Sequence, residues 1–284
     1  MKRKRLVRLS CVAAAVLLAF GGYVYYTLTS DSGERPVISM DSDTITISIS
    51  DGESAIINGI TAYDAEDGDI TGRLIYEGLS AFSEEGVCTA TFTAVDSDGN
   101  VSKAQRTVLF SDYTPPVFAL KAPLTFSYGS TMNLSDYIRA YDCIDGDISG
   151  GVRITVTGSS GSLSEIGVHP VTVRVTNSKG DTSELTLDVT VAQIDSAQKR
   201  YAPTIELGDY LIYVDEGGDF SPSELIVSVT DGDVKYTDSA HISGVSFSGN
   251  VNTSRPGVYN VEYEYTGEKG YTGTATLVVV VTGE

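Results

Sequence analysis

The sequence has few of the residues on which catalytic sites are usually built. Its 284 residues include no tryptophan and only two histidines, His169 and His241. Most histidine-based catalytic and zinc sites combine a histidine with several precisely placed partners. The sequence also has no Gly-x-Ser-x-Gly, His-Glu-x-x-His or phosphate-binding glycine motif. These absences predict a protein that is not an enzyme and that uses no cofactor, with calcium as the one open alternative.

Cysteine is too scarce to support a disulfide framework. Cys11, Cys88 and Cys143 lie far apart in the chain, so no small domain would contain a pair. Small exported domains often rely on disulfides for stability. Each domain of this chain must therefore be held together by its apolar core.

Basic residues are scarce beyond the N-terminus. The chain has 19 Lys and Arg against 38 Asp and Glu, and five of the basic residues lie within residues 1–8. The remainder has 14 basic and 38 acidic residues, a net charge of −24. Such a surface repels nucleic acid and attracts cations. We therefore expect no nucleic acid partner.

The N-terminal region has the pattern of a membrane anchor. Residues 9–28 contain no charged side chain and follow the five basic residues. About 20 apolar residues suffice to cross a bilayer as a helix, and a basic flank stays in the cytoplasm. We expect a cytoplasmic tail over residues 1–8, a transmembrane signal-anchor helix over residues 9–28 and an extracellular remainder. The alternative is a signal peptide cleaved near Ala19-Phe20-Gly21, which would release a secreted protein.

The remainder of the chain repeats three times. The recurring markers are Pro36-Val37, Pro116-Val117 and Pro203-Thr204, then Asp67-Gly68-Asp69, Asp145-Gly146-Asp147 and Asp231-Gly232-Asp233, then Gly86-Val87, Gly167-Val168 and Gly257-Val258. Markers that keep their order and spacing indicate copies of one domain. After a linker over residues 29–35, we place the domains at residues 36–113, 114–194 and 195–284, the last including a linker.

Alternating apolar residues predict strands in every copy. From Cys88 to Ala94 every second residue is apolar and the residues between are threonines, and residues 171–175 and 259–265 keep the same alternation. Each of these strands runs into a glycine-containing turn and a second alternating strand, which is the pattern of a β-hairpin. Six or seven short strands per copy, without helical periodicity outside the N-terminal segment, predict an all-β chain of three tandem immunoglobulin-like β-sandwiches.

These motifs carry a resemblance to a known family. The acidic turn Asp64 to Ile70 and the later Gly-x-Tyr-x-Val pattern, kept at Gly257 to Val261, resemble the bacterial immunoglobulin-like repeats of exported surface proteins. Similar repeats occur in some pesticidal crystal proteins, and hyalin-type repeats are distantly similar. In that family a tyrosine usually stands two residues after the glycine, as the tyrosine corner of a sandwich does. This chain has Tyr259 there in the third copy, and Cys88 and His169 in the others.

The resemblance implies a noncatalytic protein of the cell surface. We expect tandem modules for adhesion or for binding a cell-wall glycan or another surface protein. Ligand binding is expected in the third copy, which concentrates the tyrosines Tyr201, Tyr210, Tyr213, Tyr236, Tyr259, Tyr263, Tyr265 and Tyr271. One alternative is a passive spacer or stalk, and another is an accessory ectodomain of a surface enzyme or secretion complex.

The acidic turns raise the hypothesis of a calcium site. In an immunoglobulin sandwich the loops that would carry these residues emerge at the same end. Clustered carboxylates there would suit a calcium ion, which takes six to eight oxygen ligands. The candidate ligands are Asp64, Glu66, Asp67, Asp69, Asp96 and Asp98 in the first copy, and Asp142, Asp145, Asp147 and Asp181 in the second. The alternative is that these aspartates only close turns by accepting hydrogen bonds from backbone N–H groups.

Overall fold

A computed structural model describes residues 16–25, 33–157 and 163–283. Helix α1 covers residues 16–25, within the predicted transmembrane segment. Among the described residues no helix is both long and apolar enough to cross a membrane. Residues 9–15 and 26–28 of the predicted segment lie outside the described residues.

The remainder of the described chain consists mainly of strands, which form three modules. The first module contains β1 (Val37–Met40), β2 (Thr44–Ile47), β3 (Ile60–Asp64), β4 (Gly68–Asp69), β5 (Ile75–Leu79), β6 (Val87–Val95) and β7 (Val101–Phe110). The second contains β8 (Val117–Leu120), β9 (Thr125–Ser127), β10 (Ile138–Asp142), β11 (Gly146–Asp147), β12 (Arg153–Val156), β13 (Gly167–Thr176) and β14 (Thr182–Ala192). The third contains β15 (Thr204–Leu207), β16 (Leu211–Asp215), β17 (Ile226–Asp231), β18 (Val234–Tyr236), β19 (Ser246–Ser248), β20 (Gly257–Thr266) and β21 (Thr272–Thr282).

All three modules have the same topology. In the first, one sheet has the order β1-β3-β4 and the other has the order β2-β7-β6-β5. The second and third modules repeat both orders strand for strand. The second strand of each module pairs in parallel with the last, and all other pairs are antiparallel. The prediction of an all-β chain is therefore confirmed.

The predicted alternation determines which side chains form the cores. Cys88, Ala90, Phe92 and Ala94 on β6 are all fully buried. In the second module, valines on β13 meet residues of the opposite sheet, such as Ile138 on β10, in one apolar cluster. Side chains from both sheets thus pack face to face, as expected of a β-sandwich.

Short helices also occur between the strands, although the sequence shows no helical periodicity outside the N-terminal segment. They are α2 (Gly52–Ile57), α3 (Ser196–Tyr201) and α4 (Ser239–Ile242). Short 3₁₀ turns occur at Ile49–Asp51, Thr71–Arg73, Leu134–Asp136, Ser149–Gly151 and Pro222–Leu225. Each helix is too short to show an apolar period in the sequence. α3 instead has a local signal, since the side chain of Asp195 caps it by accepting from the N–H groups of Ala197 and Gln198.

The first module has a charged side chain in its core. Arg106 on β7 pairs with Ala90, the position at which the other modules pair Leu187 with Val171 and Leu277 with Val261. Its side chain is fully buried and forms an ion pair with Asp41. Its guanidinium also donates to the backbone carbonyls of Ser42, Ile56 and Asn58, at 2.8, 3.3 and 2.7 Å. Arg106 therefore fixes the segment that carries α2, which is specific to this module.

The chain divides into two compact units. The first comprises Met1–Ser80 with Val87–Ser111, and the second comprises Ala81–Gly86 with Asp112–Glu284. The second and third modules thus belong to the same unit.

Candidate functional site

The acidic turn of the first module is held together by backbone N–H groups. Asp64 is buried, and its Oδ1 accepts from the N–H groups of Glu66 and Asp67, both at 2.9 Å. Asp69 accepts in the same way from the N–H of Thr71 at 2.9 Å, and hydrogen bonds from the Thr71 side chain and then from this N–H lower the pKa of Asp69. The carboxylates therefore close the turn, as the turn hypothesis proposes.

Asp67 joins this turn to the next loop. Its carboxylate accepts from the N–H and the hydroxyl of Ser97, both at 2.8 Å, and from Arg73 at 2.6 Å. The hydrogen bond from the Ser97 hydroxyl is the main reason why the pKa of Asp67 is lowered. Asp96 in that loop is tied to Asn100, whose N–H lies 2.7 Å from its Oδ1. The sequence prediction that these loops lie together is therefore correct.

The second module repeats the arrangement. Asp142 accepts from the N–H groups of Ile144 and Asp145 at 2.9 Å, and Asp145 accepts from the N–H of Ser178 at 2.5 Å. Asp147 accepts from the N–H of Ser149 at 2.9 Å. In addition, the Tyr113 hydroxyl donates to Asp181 at 2.5 Å. Burial and this carboxylate raise the pKa of Tyr113.

The third module retains the link between the two loops. Asp231 accepts from the N–H of Glu268 at 2.8 Å, as Asp67 accepts from Ser97 and Asp145 from Ser178. The first aspartate of each Asp-Gly-Asp motif thus joins the same two loops in all three modules. We call this hydrogen bond the loop staple. Sequence reasoning missed it because the acceptor is 30 or more residues from its donor.

The calcium hypothesis stays a prediction. Glu66 and Asp98 each have a carboxylate oxygen within 4 Å of the position that a Cβ on Gly33 would occupy. Among the described residues, however, no group of three or more His, Cys, Asp or Glu side chains is arranged to hold a metal ion. In the hydrogen bonds described above, most of the candidate carboxylates close a turn or join two loops.

Most tyrosines of the third module have structural contacts. Tyr263 is fully buried and its hydroxyl donates to the Pro222 carbonyl at 2.9 Å. Tyr210 and Tyr265 pack against the core. Tyr201 lies against Tyr271 with ring centroids 5.6 Å apart. The remaining three, Tyr213, Tyr236 and Tyr259, contact the second module, His241 and the Arg255 carbonyl respectively. Each of these eight tyrosines thus has a contact within the protein, and ligand binding by the third copy stays a prediction.

The tyrosine corner is present in the third module and has a histidine counterpart in the second. The Tyr259 hydroxyl donates to the carbonyl of Arg255, four residues earlier, at 2.9 Å. At the equivalent position, His169 Nε2 lies 2.7 Å from the carbonyl of Glu165, also four residues earlier. A histidine thus replaces the tyrosine hydrogen bond. This contact gives His169 a structural role.

The second and third modules contact each other along their strands. The N–H of Phe118 on β8 donates to the Tyr213 hydroxyl on β16 at 2.8 Å. Asn260 on β20 donates to Asp188 on β14 at 3.0 Å. Leu211 and Val278 of the third module are buried in the apolar cluster of the second. Burial at this contact raises the pKa of Tyr213.

A groove of about 460 Å³ lies where these two modules meet. Both modules contribute walls: the second contributes Leu120, Leu124, Thr125, Val168, Asp188 and Thr190, and the third contributes Ser248, Gly249, Asn260, Glu262, Thr276 and Val278. The lining thus combines aliphatic side chains with hydroxyls, an amide and two carboxylates. We call this cavity the intermodule groove. Sequence reasoning did not find it, because its two walls come from different repeats.

The chemistry of the intermodule groove suits a neutral ligand rich in hydroxyl groups. Asp188 and Glu262 accept hydrogen bonds, and their charge opposes an anionic ligand. Thr125, Thr190 and Thr276 both donate and accept. The aliphatic side chains offer surface to the C–H groups of a ligand. Ligand sites typically combine apolar walls with a few polar groups that fix orientation.

Comparison with known proteins matches the third module to a described family. Residues 205–281, nearly the whole third module, match the family described as "Bacterial surface protein, Ig-like domain". The resemblance to bacterial immunoglobulin-like repeats is confirmed. The chain is 33% identical over 161 residues to the pesticidal crystal protein Cry22Aa of Bacillus thuringiensis, covering 55% of this chain and 20% of that protein. It is 24% identical over 241 residues to an 81.3 kDa protein of Acholeplasma phage L2, covering 82% of this chain and 30% of that protein.

Two solved structures show distant similarity. One is the structure of CBM51-2 in complex with GlcNAc and INT domains from Clostridium perfringens ZmpB. It aligns with 50% of this chain and 29% of its own at 20% identity and a TM-score of 0.23. Domains EC1-3 of Drosophila N-cadherin align with 86% of this chain and 98% of their own at 11% identity and a TM-score of 0.31.

Proposed function

We propose that the protein is a noncatalytic binding protein of the bacterial cell surface, and that it holds a neutral cell-wall glycan in the intermodule groove. The family of the third module supports a surface role. The observation that carries the proposal is the lining of the groove, where two carboxylates, an amide and several hydroxyls stand among aliphatic side chains. The hydroxyl groups of a sugar would hydrogen-bond to these polar side chains, and its C–H faces would contact the aliphatic side chains.

The spacer alternative is less well supported. A linear stalk needs modules that are joined only end to end. The second and third modules instead contact each other through Tyr213, Asn260 and a shared apolar cluster. These contacts create a recess that a stalk would not need.

Binding of the protein to purified insoluble cell wall tests the proposal. Ser248→Trp would fill the groove and is expected to weaken binding strongly, while Glu262→Ala removes an acceptor and is expected to weaken it less. Glu264→Ala is the matched control, because Glu264 is exposed on the same strand but does not line the groove. Unchanged binding by Ser248→Trp would contradict the proposal.

We also propose that residues 9–28 attach the protein to the membrane. The support is their lack of charge and the basic residues that precede them. Deleting residues 9–28 is expected to release the protein from the membrane fraction without loss of wall binding. Retention of the deleted form in membranes would contradict this attachment.

A further inference from the structure

The outer face of the three-stranded sheet carries the same exposed row of side chains in two modules. In the first module, Val37 on β1 pairs with Tyr63 on β3, and Tyr63 pairs with Asp69 on β4. In the second, Tyr141 on β10 pairs with Val117 on β8 and with Asp147 on β11. We call these two sets the Val-Tyr-Asp rows.

Both tyrosine rings are open to solvent. Tyr63 is 60% exposed and Tyr141 is 44% exposed, and the neighbouring valines are 62% and 38% exposed. Tyr213, Tyr259 and Tyr263 differ, since each forms a hydrogen bond through its hydroxyl group. The ring faces of the rows therefore remain available to a ligand.

The fold does not require the rows. In the third module, Thr204 stands where the rows have valine, and it pairs with Thr230, which stands where they have tyrosine. Thr230 in turn pairs with Lys235, which stands where the rows have aspartate. That module still forms the same two sheets in the same strand order. Exposed apolar side chains that the fold can do without are typical of binding surfaces.

The size and chemistry of the rows fit a sugar ring. A stable protein interface buries roughly 800 Å² on each partner, far more than one tyrosine and one valine offer. The face of an aromatic ring carries partial negative charge and attracts the polarised C–H groups of a pyranose. The carboxylate beside it accepts hydrogen bonds from sugar hydroxyls and disfavours anionic ligands. Hydrogen bonds from Thr71 and Ser149 lower the pKa of Asp69 and Asp147, which keeps both ionised.

We propose that each Val-Tyr-Asp row is a binding site for one pyranose ring of a neutral glycan chain, with the tyrosine as the stacking platform. The ligand class rests on the proposed function, whereas the site is separate from the intermodule groove.

Tyrosine nitration followed by mass spectrometry tests the rows directly. The full-length protein is treated with tetranitromethane with and without a neutral oligomer of N-acetylglucosamine. The oligomer is expected to slow nitration of Tyr63 and Tyr141. Tyr128, which is 52% exposed and outside the rows, is the internal control. Absence of protection, or equal protection of Tyr128, would overturn the proposal.

A double variant, Tyr63→Thr with Tyr141→Thr, tests the energetic role of the rings. Threonine is the residue of the third module at this position, so the fold is expected to persist. Loss of each ring is expected to weaken oligomer binding roughly five- to tenfold. Wild-type affinity in this variant would refute the rows as sites. Weakened binding here together with normal binding by Ser248→Trp would support the rows and contradict the intermodule groove.

Discussion

Arg106 allows a quantitative test of what stabilises the first module. Its side chain is fully buried, pairs with Asp41 and donates to three backbone carbonyls. Truncation to alanine leaves these carbonyls without their donor and opens a cavity beside β6. Removing one partner of a buried ion pair costs about 3–5 kcal/mol. Asp41 is 64% exposed and stays hydrated, so we expect the low end of that range.

Hydrogen exchange measured by mass spectrometry reports this loss for each unit separately. A loss of about 3 kcal/mol corresponds to roughly 150-fold faster exchange of the most protected amides. For Arg106→Ala we expect this acceleration in β6 and β7 and none in residues 112–283. Arg106→Leu is expected to lose less, because leucine is the residue at this position in the other modules, as Leu187 and Leu277 show.

Lys103→Ala is the matched control on the same strand. Lys103 pairs with Glu77, but the two side chains are 58% and 37% exposed. Exposed ion pairs contribute about 0–1 kcal/mol. The reasoning is refuted if Arg106→Ala accelerates exchange no more than Lys103→Ala does, or if residues 112–283 are destabilised equally.

Four further predictions concern the third module, the acidic turns and calcium. Gly273→Ala places a Cβ 1.8 Å from the Pro203 carbonyl oxygen and is expected to lower the melting temperature of the third module sharply. Gly150→Ala is the control, because a Cβ added there meets nothing within 4 Å, and it is expected to leave stability unchanged. Tyr263→Phe removes the hydrogen bond to Pro222 and is expected to cost about 1–2 kcal/mol in urea unfolding, whereas an unchanged midpoint would show that this bond is dispensable. Because the pKa of Asp67 is lowered, its ionised form stabilises the first module above the ordinary pKa, and this contribution is lost as the pH falls through the lowered pKa. Ser97→Ala should therefore shift acid unfolding of the first module to higher pH. An acid transition identical to that of the wild type would argue against the loop staple. Because backbone N–H groups already donate to the carboxylates of the acidic turns, calcium is expected to leave the melting temperatures of all three modules unchanged. A rise in melting temperature confined to the first two modules would instead support the calcium hypothesis.

Alternation of side chains made the sandwich cores predictable. Every second residue is apolar from Cys88 to Ala94 on β6 and from Val171 to Val175 on β13, and a strand that presents one apolar face must bury that face. The repeated markers likewise indicated one topology for all modules. Both signals are local in sequence, so they could be recognised without knowing which strands pair.

Arg106 and the intermodule groove were not predictable in this way. An arginine in a strand is normally assigned to the exposed face, and only the carbonyls around α2 make its burial favourable. The groove depends on Asn260 meeting Asp188 from another module, a contact that no local pattern encodes. The loop staple was missed for the same reason, whereas the nearness of the acidic loops followed from the general geometry of sandwiches.

An NMR titration of the isotopically labelled protein with a neutral cell-wall oligosaccharide tests the central claim most directly. Binding in the intermodule groove predicts chemical-shift changes at Leu124, Thr190, Ser248, Glu262 and Thr276, which line it on both sides. The same titration of Ser248→Trp is expected to show none of these changes. Shift changes that spare both walls of the groove, or that persist in Ser248→Trp, would contradict the account.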